Sequence, residues 1–248
     1  LRDRAAAAGE RRLSVAARAK VKAKVKQAVH PKRMAVRAPV FYRFHPVTPA
    51  RWPDLERLFG PRGACAGCWC QYPRRAAAEF NAGKGDGNRR ELKRVIGTGA
   101  PVGVLAYVGK EAVGWCAVAP RADYVRLAGS KILAPVDARE VWSGPCQFVA
   151  REHRGRGLTV ALLRAAVEFA RKRGAELVEG YPVDTRGAKQ PAAFVWWGVA
   201  LAFEEAGFRE VARRSATRPI MRLEPGRAGG AASRPRSRGA AAKARPRG

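Results

Sequence analysis

The stretch EHRGRGLTVALLRAA, residues 152–166, places two Arg and two Gly directly before an apolar pattern. The apolar residues recur at helical spacing and predict a helix over residues 158–173 with one buried face. That helix ends in RKRG, where cations lie at the negative end of the helix dipole and Gly174 can cap the last turn. The apolar positions are Leu158, Val160, Leu162, Leu163, Ala166, Val167 and Phe169.

A strand pattern lies on each side of this helix. VWSGPCQFVARE, residues 141–152, precedes it and AELVEGYPV, residues 175–183, follows it, so a right-handed βαβ unit is expected. Pro145 has no N–H for a sheet ladder, which predicts a bulge, a splay or a sheet edge. The turn at 154–157 then precedes a helix N-terminus, where unpaired N–H groups and glycine favour an anion. These features predict a pyrophosphate site.

The remaining patterns give a mixed α/β domain with the order β α α β β β α β α β β. A hairpin is predicted over residues 101–120, because two strand-like runs flank GKE and Gly109 can adopt a positive φ. An apolar helix is predicted over residues 191–208, with Trp196 and Trp197 in the core. The other predicted elements are a strand at 40–48, a helix at 48–60, a polar helical region ending near 96, and a closing strand pair at 209–215 and 218–225.

The net charge of +29 is unevenly distributed. Residues 1–40 contain 12 Lys and Arg against 2 acids, and residues 226–248 contain 7 against none. The C-terminal end also lacks large apolar side chains, which predicts disorder. We therefore expect a basic extension at 1–39, disordered or partly helical, one domain at 40–225, and a disordered basic tail at 226–248. Such ends would contact nucleic acid non-specifically.

The N-terminal region contains a second start-like sequence, MAVRAPVFYRF, which begins at Met34. It favours an extension without function over residues 1–33, with an organellar transit leader as the alternative. No apolar run approaches the roughly 20 residues of a membrane span, so a soluble, cytoplasmic protein is expected. The five Cys are an odd number in a chain without a secretory pattern, so free thiols are expected.

The stretch RGRGLTVALL resembles motif A of the GNAT acyltransferase superfamily, in which Arg or Gln-x-x-Gly-x-Gly or Ala precedes a helix. Arg154 takes the first position and Gly157 the fourth, while Thr159 stands where the family usually has Gly or Ala. The element order over residues 40–225 and the segment FEEAGFREV, residues 203–211, are similar to the same family. GPRGACAGCWCQYPR together with VEGYPVD further resembles a bacterial subgroup that carries a Gly-Cys-Trp-Cys loop.

The resemblance implies a GNAT acyl-CoA N-acyltransferase fold whose central parallel strands splay apart to admit acetyl-CoA. Backbone groups of the strand would then bind the pantetheine arm, and amides of the following turn would bind the pyrophosphate. The side chain of Thr159 would either crowd the phosphates or donate a hydrogen bond to them. The residues assigned to the cofactor in this way are Gln147, Phe148, Val149, Arg154, Gly155, Arg156, Gly157, Leu158 and Thr159.

Acetyl transfer to an amine needs a general base, and an acid can protonate the departing thiolate. Glu179 is the predicted base, because it lies on the strand facing the cofactor; the alternative is an ordinary strand carboxylate paired with Arg. Tyr181 is the predicted acid, with solvent as the alternative. Asp184 lies just beyond and is predicted to line the substrate pocket.

The motif CAGCWC brings Cys65, Cys68 and Cys70 together, but a structural zinc site needs four ligands. The three His are scattered at positions 30, 45 and 153, so no metal is expected. Trp69 is predicted to form an aromatic wall of the substrate pocket, and inert loop packing is the alternative.

The sequence thus favours an acetyl-CoA-dependent N-acetyltransferase that acts on a primary amine of a small molecule or a protein. Two alternatives stay open: a nucleic-acid-associated basic protein, and a GNAT fold that binds acyl-CoA without transferring the acyl group. No membrane partner is expected. A homodimer is compatible with the sequence, which does not fix the oligomeric state.

Overall fold

The computed structural model describes residues 40–187, 191 and 195–225. The described part is a mixed α/β arrangement, with one sheet in the order β1-β2-β3-β6 and a second in the order β4-β5-β7-β9-β8. The strands are β1 (Arg43–Pro46), β2 (Gly103–Val108), β3 (Glu111–Ala117), β4 (Ala119–Pro120), β5 (Trp142–Gly144), β6 (Gln147–Val149), β7 (Val178–Gly180), β8 (Arg209–Arg213) and β9 (Pro219–Leu223). The helices are α1 (Trp52–Phe59), α2 (Ala77–Ala82), α3 (Asp86–Gly97), α4 (Val125–Ala128), α5 (Leu158–Arg171) and α6 (Ala200–Ala206).

The strand predicted over 141–152 is two strands in two different sheets. β5 runs parallel to β7, and their last register pair is Gly144 with Gly180. After Pro145 and Cys146 the chain continues as β6, which is antiparallel to β3. Pro145 has no N–H to continue the first ladder. The interruption predicted at this proline is therefore a complete break.

The predicted hairpin is confirmed, because β2 and β3 are antiparallel and Gly109 adopts φ +59° in the turn. The helix predicted over 191–208 is largely wrong, since only α6 is helical among its described residues. Gly198 has φ +84° and Val199 is extended, so the backbone becomes helical only after this point. Trp196 and Trp197 consequently precede the helix.

α5 is the helix predicted from the opening stretch, and its buried residues form one face. Leu158, Leu162 and Phe169 belong to a core that also contains Val104, Val118 and other residues of the sheets. Burying a large apolar side chain contributes roughly 1.5–3 kcal/mol, so this face fixes α5 against the strands. A second core lies under α1 and α3 and contains Leu55, Leu92 and Trp115. The start of α5 is thereby held at a fixed place beside the end of β6.

In the part of the chain that the structure describes, no helix is long and apolar enough to cross a membrane. The basic extension predicted at 1–39 and the tail predicted at 226–248 lie outside the described residues. The domain boundaries, the nucleic-acid contacts of the ends and the compartment stay predictions.

Candidate cofactor groove and buried carboxylate

The break in the central strand opens a groove between the two sheets. The segment 195–199 lies across part of the gap, and the Gln147 backbone N–H donates to the Trp196 carbonyl oxygen at 2.8 Å. Beside this contact is a cavity of about 530 Å³. Its lining residues come from the loop that follows α1 (residues 60–70, called the Cys loop below), β6, the turn before α5, the first turn of α5 and the segment before α6. They are Arg62, Ala64, Cys65, Ala66, Gln147, Phe148, Val149, Arg154, Thr159, Val195, Trp196, Gly198 and Val199.

One end of the cavity meets the N-terminus of α5. The N-cap is Gly157, which has φ +74° and makes no side-chain capping bond. The first backbone N–H groups of a helix have no acceptor within the helix, and they carry the positive end of its dipole. Thr159 lies in this first turn and lines the cavity. The place can therefore bind an anionic group such as a phosphate.

Two arginines add positive charge around this turn. The Arg154 Nε–H donates to the Val149 carbonyl oxygen at 3.0 Å, which holds its guanidinium against the end of β6. Arg62 lines the cavity from the Cys loop. A third arginine, Arg156, has a buried Nε without a hydrogen-bond partner among the described residues.

The nine predicted cofactor residues occupy neighbouring positions, although not all line the cavity. Gln147, Phe148, Val149, Arg154 and Thr159 line it. Gly155, Arg156 and Gly157 form the connecting turn, in which both glycines are left-handed. The side chain of Leu158 is 1% exposed and packs in the core, so only its backbone faces the turn.

Gln147 is the one side chain of the cavity wall with an unpaired buried amide. The residue is 7% exposed, and neither Nε2 nor Oε1 has a hydrogen-bond partner among the described residues. A buried amide without partners costs free energy. Buried polar groups of this kind are typical of sites in which a polar ligand or an ordered water supplies the missing hydrogen-bond partner.

Glu179 lies fully buried on β7 and both of its carboxylate oxygens are occupied. Oε1 accepts hydrogen bonds from Arg121 at 3.1 Å and from the Tyr181 hydroxyl at 2.7 Å. Oε2 accepts from the Arg222 Nε–H at 2.7 Å. Glu179 does not line the cavity. The geometry corresponds to the alternative of a strand carboxylate paired with Arg.

Tyr181 belongs to the same buried network. Its hydroxyl oxygen lies 2.8 Å from Ser143 Oγ, and Arg121 also donates to it. Burial raises the pKa of Tyr181 well above its ordinary value, and the charge of Glu179 raises it further. A hydroxyl that is buried and already donating to Glu179 does not face the cavity. Its predicted role as an acid stays a prediction that this geometry does not favour.

The network extends to the surface through Arg222, which pairs with Asp137 at 2.6 Å. Hydrogen bonds from Arg222 and Arg139 hold the pKa of Asp137 well below its usual range. Arg121 has no second acidic partner among its described bonds and instead donates to the carbonyl oxygens of Leu127 and Leu133. Two guanidinium groups thus depend on the charge of Glu179.

Neither of the two predicted pocket residues, Trp69 and Asp184, lines the cavity. Trp69 is 3% exposed and stacks on Trp52 with ring centroids 5.9 Å apart, so its position matches the packing alternative. Asp184 accepts a backbone N–H from Arg186 and pairs with Arg213 at 2.8 Å. These bonds lower the pKa of Asp184 from its ordinary value.

No group of three or more His, Cys, Asp and Glu side chains suited to a metal occurs among the described residues. The described residues that line the cavity also include no carboxylate and no His. Sequence reasoning missed Cys65, Trp196 and Arg62 as wall residues. Their positions depend on how the Cys loop and the segment before α6 pack onto β6, and no local pattern reports this packing.

Residues 69–185 match the family model described as the acetyltransferase (GNAT) family. Among curated proteins, none matches the chain by sequence. Solved structures similar to the chain include a putative acetyltransferase of the GNAT family from Desulfovibrio desulfuricans, at 18% identity and TM-score 0.43, over 75% of this chain and 99% of that one. NAA60 of Arabidopsis thaliana, crystallised with acetyl-CoA, is 16% identical at TM-score 0.42, over 74% of this chain and 99% of that one. The PaiA N-acetyltransferase from Thermoplasma acidophilum, in complex with coenzyme A, is 10% identical at TM-score 0.44, over 74% and 99%.

Proposed function

We propose that the protein transfers an acetyl group from acetyl-CoA to a primary amine of a small molecule or a protein, because residues 69–185 match the family model of the acetyltransferase (GNAT) family. The family match confirms the resemblance stated from motif A, and the mixed α/β fold is the one that the resemblance implies. The amine acceptor is the part of the proposal that needs experiment.

The observation that carries the proposal is the broken central strand. After Gly144 and Gly180, β5 and β7 are no longer continued as a pair, and β6 belongs to the other sheet. In an intact sheet the edge groups of β6 would bond to a neighbouring strand. Here the Gln147 N–H bonds to Trp196 and the Val149 carbonyl oxygen accepts from Arg154, so no strand continues the ladder, and all three residues of β6 line the cavity. An extended pantetheine arm, which contains amide groups, suits such an edge.

The phosphate end of acetyl-CoA suits the N-terminus of α5. The free N–H groups after Gly157 and the cations of Arg154 and Arg62 would hold the pyrophosphate by charge-assisted hydrogen bonds. Acetyl-CoA itself supplies the thioester whose carbonyl carbon the amine attacks. In this proposal Thr159 donates its hydroxyl hydrogen to a phosphate oxygen, since the side chain lies in the first turn and lines the cavity.

In the same proposal Glu179 and Tyr181 position β5 and β7 and do not exchange protons with the substrate. Their hydrogen bonds to Ser143, Arg121 and Arg222 join three chain segments directly below the break. The amine then loses its proton to water that enters the open groove. In this proposal the enzyme lacks the rate increase of about 10²–10⁴-fold that a general base would supply.

The transfer itself is tested by incubating the full chain with acetyl-CoA and a panel of primary amines while free CoA thiol is measured. We expect release of the thiol with at least one amine, together with a product heavier by one acetyl group. Binding of acetyl-CoA without release for any amine, including peptide N-termini and lysine side chains, would support the alternative of a binding protein without transfer.

Two glycine variants at opposite ends of α5 test the phosphate site. Gly157 and Gly174 both have positive φ, and a Cβ at either would meet nothing within 4 Å. An Ala at either position therefore costs a similar 1–2 kcal/mol or so of backbone strain. Only Gly157→Ala places a methyl group where the phosphate would approach, so it should weaken acetyl-CoA binding about tenfold or more, whereas Gly174→Ala should not. Equal affinities for both variants would contradict the assignment.

A further inference from the structure

Two buried thiols meet beside the cavity. Cys70 Sγ and Cys146 Sγ are 2.8 Å apart, although the residues are 76 positions apart in the chain. The Trp115 Nε1–H donates to Cys70 Sγ at 3.1 Å, which fixes this sulfur in place. A disulfide bond is about 2.0 Å long, so bond formation requires the sulfur atoms to approach by less than about 1 Å.

The two cysteines do not line the cavity themselves, but each is close in sequence to residues that do. Cys146 lies in the break between β5 and β6, next to Gln147, which lines the cavity. Cys70 ends the Cys loop, whose residues 64–66 also line the cavity. Ala64, Ala66, Trp69 and Cys70 all have positive φ, a conformation that non-glycine residues hold only when their surroundings impose it. In this conformation of the loop, Cys70 lies against Cys146.

We propose that Cys70 and Cys146 form a reversible disulfide that ties the Cys loop to the broken strand, with a low-molecular-weight disulfide such as oxidised glutathione as the oxidant. One cysteine sulfur attacks the oxidant, breaks its S–S bond and releases one thiol. The second cysteine then attacks the mixed disulfide and releases the other thiol. The cysteines lose two electrons and two protons, and the two released thiols receive them.

Two further cysteines belong to the same loop as Cys70. Cys65 is exposed and lines the cavity, and Cys68 is half-buried. The charges of Cys65 and Cys146 both act on Cys68, and burial raises the pKa of Cys68 to about 11. Burial also raises the pKa of Cys70 well above its ordinary value. Because thiolate is the attacking species, oxidation of the pair at neutral pH is expected to be slow. The oxidation state of the two cysteines is therefore measured after equilibration with the buffer.

The bond would close a loop of 76 residues of chain. In the chain-entropy treatment, a loop of this length lowers the freedom of the unfolded state enough to raise the Tm by about 10 °C. Reduction should reverse that increase. Oxidation thus provides a stability readout that is independent of acetyl-CoA and of the proposed transfer.

The experiment equilibrates the full chain in glutathione buffers with an increasing oxidised fraction, a few degrees below its Tm. Free thiols are then alkylated, and the protein is digested and mapped without reduction. We expect one cross-linked peptide pair, Cys70 with Cys146, and a Tm increase that dithiothreitol abolishes. Cys146→Ala should lose both signals, and the buried Cys116→Ala, outside the pair, should keep them.

Three results would overturn the proposal: a cross-link between Cys65 and Cys68 instead, five alkylated thiols in fully oxidised buffer, or stoichiometric zinc bound to the thiols of the purified protein. The peptide map of the unsubstituted protein decides the question even if a variant fails to fold.

Discussion

Replacing Glu179 by Gln separates a structural role from a catalytic one. In the folded protein its two oxygens accept hydrogen bonds from Arg121, Arg222 and Tyr181. The amide nitrogen of Gln is a donor and cannot accept from a guanidinium. One oxygen position is therefore lost. Arg222 then retains only the charge of Asp137, and Arg121 retains no acidic partner among its described bonds.

The magnitude follows from the burial of the pair. Glu179 is 0% exposed and Arg222 is 5% exposed, so water cannot replace the lost partner. Removing one member of a buried ion pair costs about 3–5 kcal/mol, which lowers the Tm of a chain of this size by about 6–20 °C. Glu176→Gln is the matched control, because Glu176 is exposed just before the same strand and should change stability by about 0.5 kcal/mol or less.

The assay combines thermal unfolding with the rate of CoA release at saturating acetyl-CoA and a temperature well below both Tm values. We expect Glu179→Gln to lower the Tm strongly and to change kcat by less than about tenfold. A variant with the Tm of the unsubstituted protein and a kcat lower by about 10² or more would identify Glu179 as the base and refute the structural role.

Three further predictions concern the cofactor turn, the surface end of the network and the Cys loop. Thr159→Val keeps the branched shape of the side chain but removes the hydroxyl, so it should raise the Kd for acetyl-CoA about tenfold or more in calorimetry. An unchanged Kd would show that the hydroxyl does not reach the phosphates. Since the pKa of Asp137 is depressed in the folded state, its contribution to stability is complete above about pH 4 and is lost as the pH falls below that value. The Tm difference between Asp137→Asn and the unsubstituted protein should therefore shrink as the pH falls from about 4 toward the depressed pKa of Asp137, and a constant difference would contradict the ion pair. With a pKa of about 11, about one Cys68 in a thousand is thiolate at pH 8, so iodoacetamide should label exposed Cys65 first, and equal labelling of both would contradict the burial of Cys68.

The fold around α5 could be predicted from sequence because its signals are local. The apolar spacing from Leu158, the left-handed Gly157 and the proline at 145 each report on a few neighbouring residues, and the structure has a helix, a turn and a break at these places. The prediction of a helix over 191–208 is largely wrong for a local reason as well. The prediction relied on the apolar composition of this segment and did not take account of Gly198, whose left-handed backbone means that the helix begins only at Ala200.

The candidate site could be predicted only where the chain itself brings residues together. Gln147, Arg154 and Thr159 lie within one strand-turn-helix segment, and all three line the cavity. Arg222 becomes a partner of Glu179 through the register of β7 with β9, in which the two residues lie opposite each other. Arg121 reaches Glu179 from the segment that follows β4. A sequence does not state which strands pair, so it indicated an arginine partner for Glu179 without identifying it.

The most direct test of the cofactor groove is a calorimetric titration of the full chain with acetyl-CoA, accompanied by thermal unfolding at saturation. The break between β5 and β6 and the free N-terminus of α5 predict one molecule bound per chain, with a Kd on the order of micromolar to 1 mM, as for enzyme substrates generally. Bound acetyl-CoA should also raise the Tm by linkage. No heat and no Tm change at millimolar acetyl-CoA would contradict the assignment of this groove.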